Sequence, residues 1–362
     1  MKKRLTIGDI ANELGISKTT VSFVLNGKAR ENHISVILEK KILNYIEKVG
    51  YRPNQFAQGL RTGKTKIIGM MVEDISDPFF STIARIVEEN AYSKGYKIFY
   101  CSTENNTQRT KDLIDVYRTR QVDGYIIAPP PGIEKELKEL ADNGNPVVLF
   151  DRTLPGVDAD NVVVDNYQGA YNAMQHFITN GYRKIAMVTL NSDQVQMMER
   201  ERGYRDALDK IKAPYRIIKV TYHDDKQNSI REIQDFLAAN RDLDAVFFAT
   251  NYIADNGLES IRNLNLHIPH ELGVIVFDDY NLFRLFTPSI TAISQPIKEM
   301  AEQVINLMLE RLSADSEAPK QIKTLVLNSS LMIRNSSVPK PGFPVTAPPK
   351  RTGGVIQAPI RK

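Results

Sequence analysis

At 362 residues the chain is too long for one compact core, and 42% hydrophobic with 25% charged residues is a composition that excludes a chain disordered throughout. The net charge of +4 is unevenly placed: residues 1–66 hold 13 Lys and Arg against 5 acids, the remainder 34 against 38. A basic module on an acidic body points to a polyanion bound by the first and not the second. The single cysteine, Cys101, excludes an internal disulfide, and in the apolar run KIFYCS it is expected to be a buried, inert thiol, which fits a reducing compartment. No apolar stretch of signal-peptide or membrane-span length stands out, so a cytoplasmic location without membrane association is expected.

The first elements lie in TIGDIANELGISKTTVSFVLN, residues 6–26. Ile7, Ile10, Ala11 and Leu14 recur at helical spacing, Gly15 tolerates positive φ, and Ser17 can cap a second helix carrying Val21, Val24 and Leu25. Ala11 is small where two helices must cross. The spacing is that of a helix-turn-helix whose second helix reads a major groove, although a helical hairpin in any core can look the same. Ser35 then precedes VILEKKILNYIEKVG, where Ile37, Leu38, Ile42, Leu43, Ile46 and Val49 predict one apolar face and Gly50 a stop. In YRPNQFAQGLRTGKT, Pro53 and Asn54 can start a helix of about two turns over 55–61, too short to persist alone in water.

From Lys66 onward apolar strands alternate with amphipathic helices: IIGMMV, KIFYCS, YIIAPP and VVLF, then IAMVTL, RIIKVTY, AVFFAT and VIVF. That alternation predicts parallel sheets covered on both faces. SKGYKIFY and TNGYRKIAMV repeat one device, a helix ending at Gly with an aromatic leading into a buried strand, as expected of two similar α/β lobes with a cleft between them. The end, VPKPGFPVTAPPKRTGGVIQAPIRK, is Pro-rich and basic and is expected to be a disordered tail.

In order, TIGDIANELGISKTTVSFVLNG, GYRPNQFAQGLRTGKTKIIG, DISDPFF, VLFDR, VVVDNYQGA, RERGYRDAL, VIVFDDY and SQPIKEMAEQV closely resemble the lactose-repressor and galactose-repressor family of bacterial transcription regulators, from residue 6 to about 334. The resemblance implies an all-α helix-turn-helix head over 1–50, a hinge helix over 51–65, a periplasmic-binding-protein-like core of two doubly wound parallel-sheet lobes over 66–337 and a tail over 338–362. It further implies a homodimer on a pseudo-palindromic operator in double-stranded DNA, controlled by a small effector, most simply a sugar.

Carried onto this sequence, the resemblance places Lys18, Thr19 and Phe23 toward base edges, and Ser17, Thr20, Ser22 and Asn26 toward phosphates. Phe23 stands where relatives often carry a polar reader and offers only apolar contact, such as with a thymine methyl. Asn54, Ala57 and Leu60 fall in the hinge, with Leu60 matching the leucine that wedges into the minor groove. Arg200 and Asp278 match positions that hold small polar ligands, and a guanidinium fork with a carboxylate can bracket adjacent hydroxyls. Phe79 and Phe80 could stack on a pyranose face. Asp77 stands where relatives commonly carry Asn, suiting a neutral hydroxyl-rich ligand better than a phosphate. Asp151, Arg152, Asp165, Asn251 and Gln295 complete the expected effector site; structural ion pairs and loop caps are the competing roles for all of these.

An enzyme has no candidate residues here. There is no glycine-rich phosphate loop and no nucleophile elbow; His267 and His270 flank Pro269 in a loop, and the adjacent Asp278 and Asp279 should point apart. No metal and no cofactor are expected. The rival reading is a sugar- or nucleobase-binding solute module without a DNA-directed role, which would not carry the basic head.

Overall fold

The structure, a computed structural model, describes residues 5–51, 64–221, 226–313 and 321–343. The chain divides into two compact units, residues 1–66 and 67–362.

The first unit contains α1 (Ile7–Leu14), α2 (Lys18–Leu25) and α3 (Val36–Val49). Thr6 and Asp9 form a reciprocal capping box at the start of α1, and Gly15 ends it at φ +66°. The Ser17 hydroxyl then accepts the Thr20 amide at 3.0 Å, so the turn passes directly into α2. Ile10, Ala11, Val21, Val24, Ala29 and Ile42 form the core. The expected apolar face of α3 is only partly used: Ile42 is fully buried, whereas Ile37 is 84% exposed and Leu43 44%. One residue is about 100° of helix rotation, which turns Ile37 away from Leu38 and Leu43 away from Ile42.

The second unit runs β1 (Ile67–Val72), α4 (Pro78–Ser93), β2 (Lys97–Ser102), α5 (Thr107–Thr119), β3 (Gly124–Ile127), α6 (Glu134–Asp142), β4 (Val147–Phe150) and β5 (Asp160–Val164), then α7 (Asn166–Thr179), β6 (Ile185–Leu190), α8 (Val195–Asp209), β7 (Arg216–Val220), α9 (Lys226–Ala239), β8 (Ala245–Phe248), α10 (Asn251–Asn263), β9 (Gly273–Phe277), α11 (Asn281–Leu285) and β10 (Thr291–Ser294). It closes with α12 (Ile297–Ser313), β11 (Thr324–Leu327) and β12 (Ser330–Met332). One sheet has the order β11-β5-β4-β3-β1-β2, the other β12-β10-β9-β8-β6-β7. Central strands buried along their whole length, such as IIGMMV and IAMVTL, explain the unbroken apolar runs. The repeated junction has the same role in both lobes: Gly95 and Gly181 adopt positive φ, and Tyr96 and Tyr182 are buried behind them.

Two features depart from a simple succession of parallel lobes. The chain crosses between lobes three times, after β5, after β10 and after β11, so α12 packs in the core of the first lobe and β11 joins its sheet. β12 pairs antiparallel to β10, through Ala292 with Met332 and Ser294 with Ser330. Residues 338–343, expected to begin the tail, pack against the second lobe. Lys340 bonds through its amide to Asn180 O at 2.9 Å and through Nζ to Asp244 at 2.8 Å, and Phe343 packs at Gly181 beneath the Arg183 guanidinium. Residues 344–362 lie outside the described segments.

Candidate functional site

On the head, α2 presents Lys18 and Thr19 to solvent beside the exposed Ser17, with Thr20, Ser22, Phe23 and Asn26 half-buried. Residues four apart are neighbours on a helix, so Lys18, Ser22 and Asn26 form one row and Thr19 and Phe23 the next. Val21 and Val24 fix these rows by burying the opposite face. Asn26 is committed locally, donating through Nδ2 to Ser22 O at 2.6 Å. Gly8 leaves room for the Lys18 stem: a Cβ there would lie 2.9 Å from Lys18 Cε. Asn54, Ala57 and Leu60 lie outside the described residues.

In the second unit, the loop after β1, the ends of β4 and β9, and the starts of α4, α8 and α10 converge between the lobes. Nine of the ten expected effector residues, Asp77, Phe79, Phe80, Asp151, Arg152, Arg200, Asn251, Asp278 and Gln295, line one inner chamber of about 30 Å³. Asp165 is not among its lining residues. It stands at the first interlobe crossing, where its Oδ1 accepts the Ser329 amide at 2.7 Å, because the residue after β5 must turn into α7.

Each member is held by the fold. Asp151 and Asp278 follow their strands at φ +68° and +76°, a region costly for a residue other than glycine. Arg152 is buried and bonds Glu73 Oε2 at 2.5 Å, Asp151 Oδ2 at 2.7 Å and Asn105 Oδ1 at 2.9 Å. Burial works against its charge, but Asp151 and Glu73 outweigh it and its pKa is raised. Arg200 lies over the Phe277 ring at 3.6 Å and donates to Asn166 Oδ1, Ala249 O and, at 3.4 Å, Asp278 Oδ2. Gln295 Nε2 donates to Asp278 Oδ1 at 2.5 Å. Burial raises the Asp278 pKa, with Arg200 opposing it. Asp279 instead pairs with Arg334 at 2.6 Å, so the neighbouring carboxylates do diverge.

Asp77 caps α4 by accepting the Phe79 amide at 2.7 Å, and Asn251 Nδ2 donates to its other oxygen at 2.9 Å from the opposite lobe. Burial raises its pKa to about 6; the two hydrogen bonds lower it, while Asp278 and Glu73 raise it further. Phe79 and Phe80 are buried and pack edge to face with each other, and Phe80 with Phe150, so they belong to the lobe core as well as to the chamber wall.

An outer chamber of about 430 Å³ adjoins the inner one through Glu73, Asp77, Asn251 and Tyr252 and is walled by Asp74, Leu190, Val220, Lys226, Asp255 and Tyr280 among others. The sequence reading missed Glu73, Asp74, Gln194, Gln196, Tyr252, Asp255 and Tyr280. Glu73 could have been found as the first polar residue after the apolar strand IIGMMV; the others have no local signal. Among the described residues there is no cluster that could hold a metal, and no helix is long and apolar enough to cross a membrane.

Residues 6–54 match the bacterial regulatory proteins of the lacI family, and 174–337 match the periplasmic binding protein-like domain. The transcriptional regulator KdgR of Bacillus subtilis is 30% identical over 93% of this chain and its own full length. A periplasmic binding protein/LacI transcriptional regulator from Alkaliphilus metalliredigens, solved with D-xylulofuranose, is 26% identical with a TM-score of 0.67 over 75% of this chain and 99% of its own. The lac repressor dimer bound to operator, 19% identical, shares the fold with a TM-score of 0.77 over 93% of this chain and all of its own. These relatives are transcription regulators and not enzymes, and this chain belongs to the lacI family of DNA-binding bacterial regulators.

Proposed function

We propose that the protein acts as a homodimer on a pseudo-palindromic operator and that a sugar bound between its two lobes sets its affinity for that operator. In this reading Lys18, Thr19 and Phe23 face base edges, Ser17, Thr20, Ser22 and Asn26 face phosphates, and residues 51–65 form a hinge helix whose Leu60, beside Asn54 and Ala57, wedges into the minor groove. The effector is held by Arg200 and Asp278, with Asp77, Asn251 and Gln295 around it.

The observation that carries the reading is the meeting of Asp77 from one lobe with Asn251 from the other, in a cleft that also gathers Arg200 and Asp278. A ligand bridging both lobes binds one interlobe geometry better than another and so shifts their populations. Support for a sugar comes from the D-xylulofuranose in the relative from Alkaliphilus and from a cleft rich in hydrogen-bonding side chains around few apolar ones.

The test is a band shift on duplex DNA from the protein's own promoter region, with and without sugars. Binding that weakens steeply with salt and changes at least tenfold with one sugar supports the reading; salt-insensitive or absent DNA binding by the intact protein overturns it. Leu60→Ala should cost specific binding more than non-specific binding, and equal losses would refute the wedge.

A further inference from the structure

The two chambers share four residues and are one site in two parts. The outer part lies within the 300–1,000 Å³ range of small-molecule sites. The inner part admits a group about the size of a water or a hydroxyl. The outer chamber has room for a ring and the inner one for a single small substituent.

The outer wall is unbalanced in charge. Among the described residues, Glu73, Asp74, Asp77 and Asp255 line it against one cation, Lys226, whose Nζ is held by Glu259 at 3.3 Å. Glu73 has Arg152, but the bonds made by the other three carboxylates come from neutral donors. Asp74 accepts from the amide and hydroxyl of Ser76, Asp77 from Phe79 N and Asn251, and Asp255 from the Tyr280 hydroxyl at 2.5 Å. Burial pushes the pKa of both Asp77 and Asp255 upward, and Lys226 offsets only part of this at Asp255.

The inner chamber carries an independent sign of an absent donor. Gln196 and Gln295 are 3% and 6% exposed, and their Oε1 atoms are buried without a hydrogen-bond partner among the described residues. The orientation of Gln295 is fixed because its Nε2 donates to Asp278, so its oxygen needs a donor from elsewhere. Both chambers thus present acceptors and ask for donors, the outer for a charged one.

We propose that the effector is a saccharide bearing a protonated amine, with its ammonium among Asp74, Asp77 and Asp255 and one hydroxyl reaching inward to Arg200, Asp278, Gln196 and Gln295. Tyr252 and Tyr280 line the same chamber, where an aromatic side chain favours a sugar ring or a cation placed against it. A sugar phosphate or sugar acid is disfavoured by the same three carboxylates. This inference rests on the reading of the cleft as a sugar-effector site.

The test is calorimetric titration of the intact protein near neutral pH with glucosamine, galactosamine and mannosamine, their N-acetylated forms, the parent hexoses and the hexose 6-phosphates. One amine is expected to bind at least tenfold more tightly than its N-acetyl form and parent hexose, which share its hydroxyl pattern but lack the charge. That ratio should fall toward unity in Asp74→Asn/Asp255→Asn; if the double variant does not fold, Asp255→Asn, which keeps an acceptor for Tyr280, replaces it. A hexose, N-acetyl sugar or phosphate that binds as well as or better than every amine overturns the inference while leaving a sugar effector standing. Binding by none of these saccharides overturns the inference, and the sugar reading falls with it if xylulose, ribose and cellobiose also fail to bind.

Discussion

Asn251 donates to Asp77 at 2.9 Å from the opposite lobe, and each residue is the start or the cap of a helix: Asn251 opens α10, Asp77 caps α4. One hydrogen bond therefore joins the N-terminal ends of two helices in different lobes.

The Asp77 pKa of about 6, against 3.8 ordinarily, gives this tie a pH dependence. A carboxyl whose pKa is raised by folding binds more protons in the native state, so its contribution is fully favourable below the unfolded value and is lost as pH rises through about 6. The difference is on the order of 3 kcal/mol at neutral pH. Glu73 and Asp278 act on it from the β1 and β9 ends, and Asp74, Asp255 and Tyr280 share the chamber. Wild type should therefore gain stability relative to Asp77→Asn as pH falls from about 7 to about 5, measured by urea midpoints at each pH. A constant difference between the two proteins across that range would rule out titration of Asp77.

Arg152 holds two buried carboxylates at once, and removing it leaves both without a counter-charge. Arg152→Ala is expected to cost about 3–5 kcal/mol. Adding Glu73→Gln should return part of that loss, because one of the stranded charges is gone. A double-mutant cycle by chemical denaturation checks this, and strictly additive effects would mean that the ion pair is not coupled in solution.

Gly203 sits where α8 crosses α7. A Cβ there would stand 2.5 Å from Tyr167 O and 3.0 Å from Tyr171 N, both backbone atoms with little room to give. Helix propensity alone favours alanine by about 1 kcal/mol, but forcing the helices apart costs about 1–3 kcal/mol. Gly203→Ala should lower Tm by a few degrees and, because Arg200 lies one turn away on the same helix, weaken effector binding. Unchanged Tm would show that the crossing relaxes freely.

Much of this architecture was legible in the chain. Unbroken apolar runs marked the central strands, Ser17 and Ser35 marked helix starts, and the family resemblance marked most of the inner chamber. The interlobe crossings were not legible, because TLVL and SLM are short edge strands whose partners lie in different sheets. Asp165 lies at a strand end as Asp151 and Asp278 do, but its strand leads across to the other lobe, so it stands apart from the inner chamber. The outer chamber was hidden for the same reason, since Asp74 and Asp255 come together only through the pairing of two lobes. Ile37 and Leu43 show the reverse error, where apolar composition suggested more burial than a short three-helix head provides.

Ser17 has two proposed roles that can be separated by chemistry. Its hydroxyl caps α2, and serine to alanine at such a position costs about 1 kcal/mol. Aspartate caps as well as serine and also suits the positive end of the helix, so Ser17→Asp should keep the head as stable as wild type. A carboxylate facing a DNA phosphate, however, repels it. Ser17→Asp is therefore expected to lose about tenfold or more in DNA affinity on specific and non-specific sequences alike, whereas Ser17→Ala loses stability with a smaller loss of binding. Thermal denaturation and band shifts on the same samples read both quantities. If Ser17→Asp binds DNA as tightly as wild type, Ser17 serves the fold of the helix and not the phosphate, and the register of the whole recognition helix on DNA must be rotated to match.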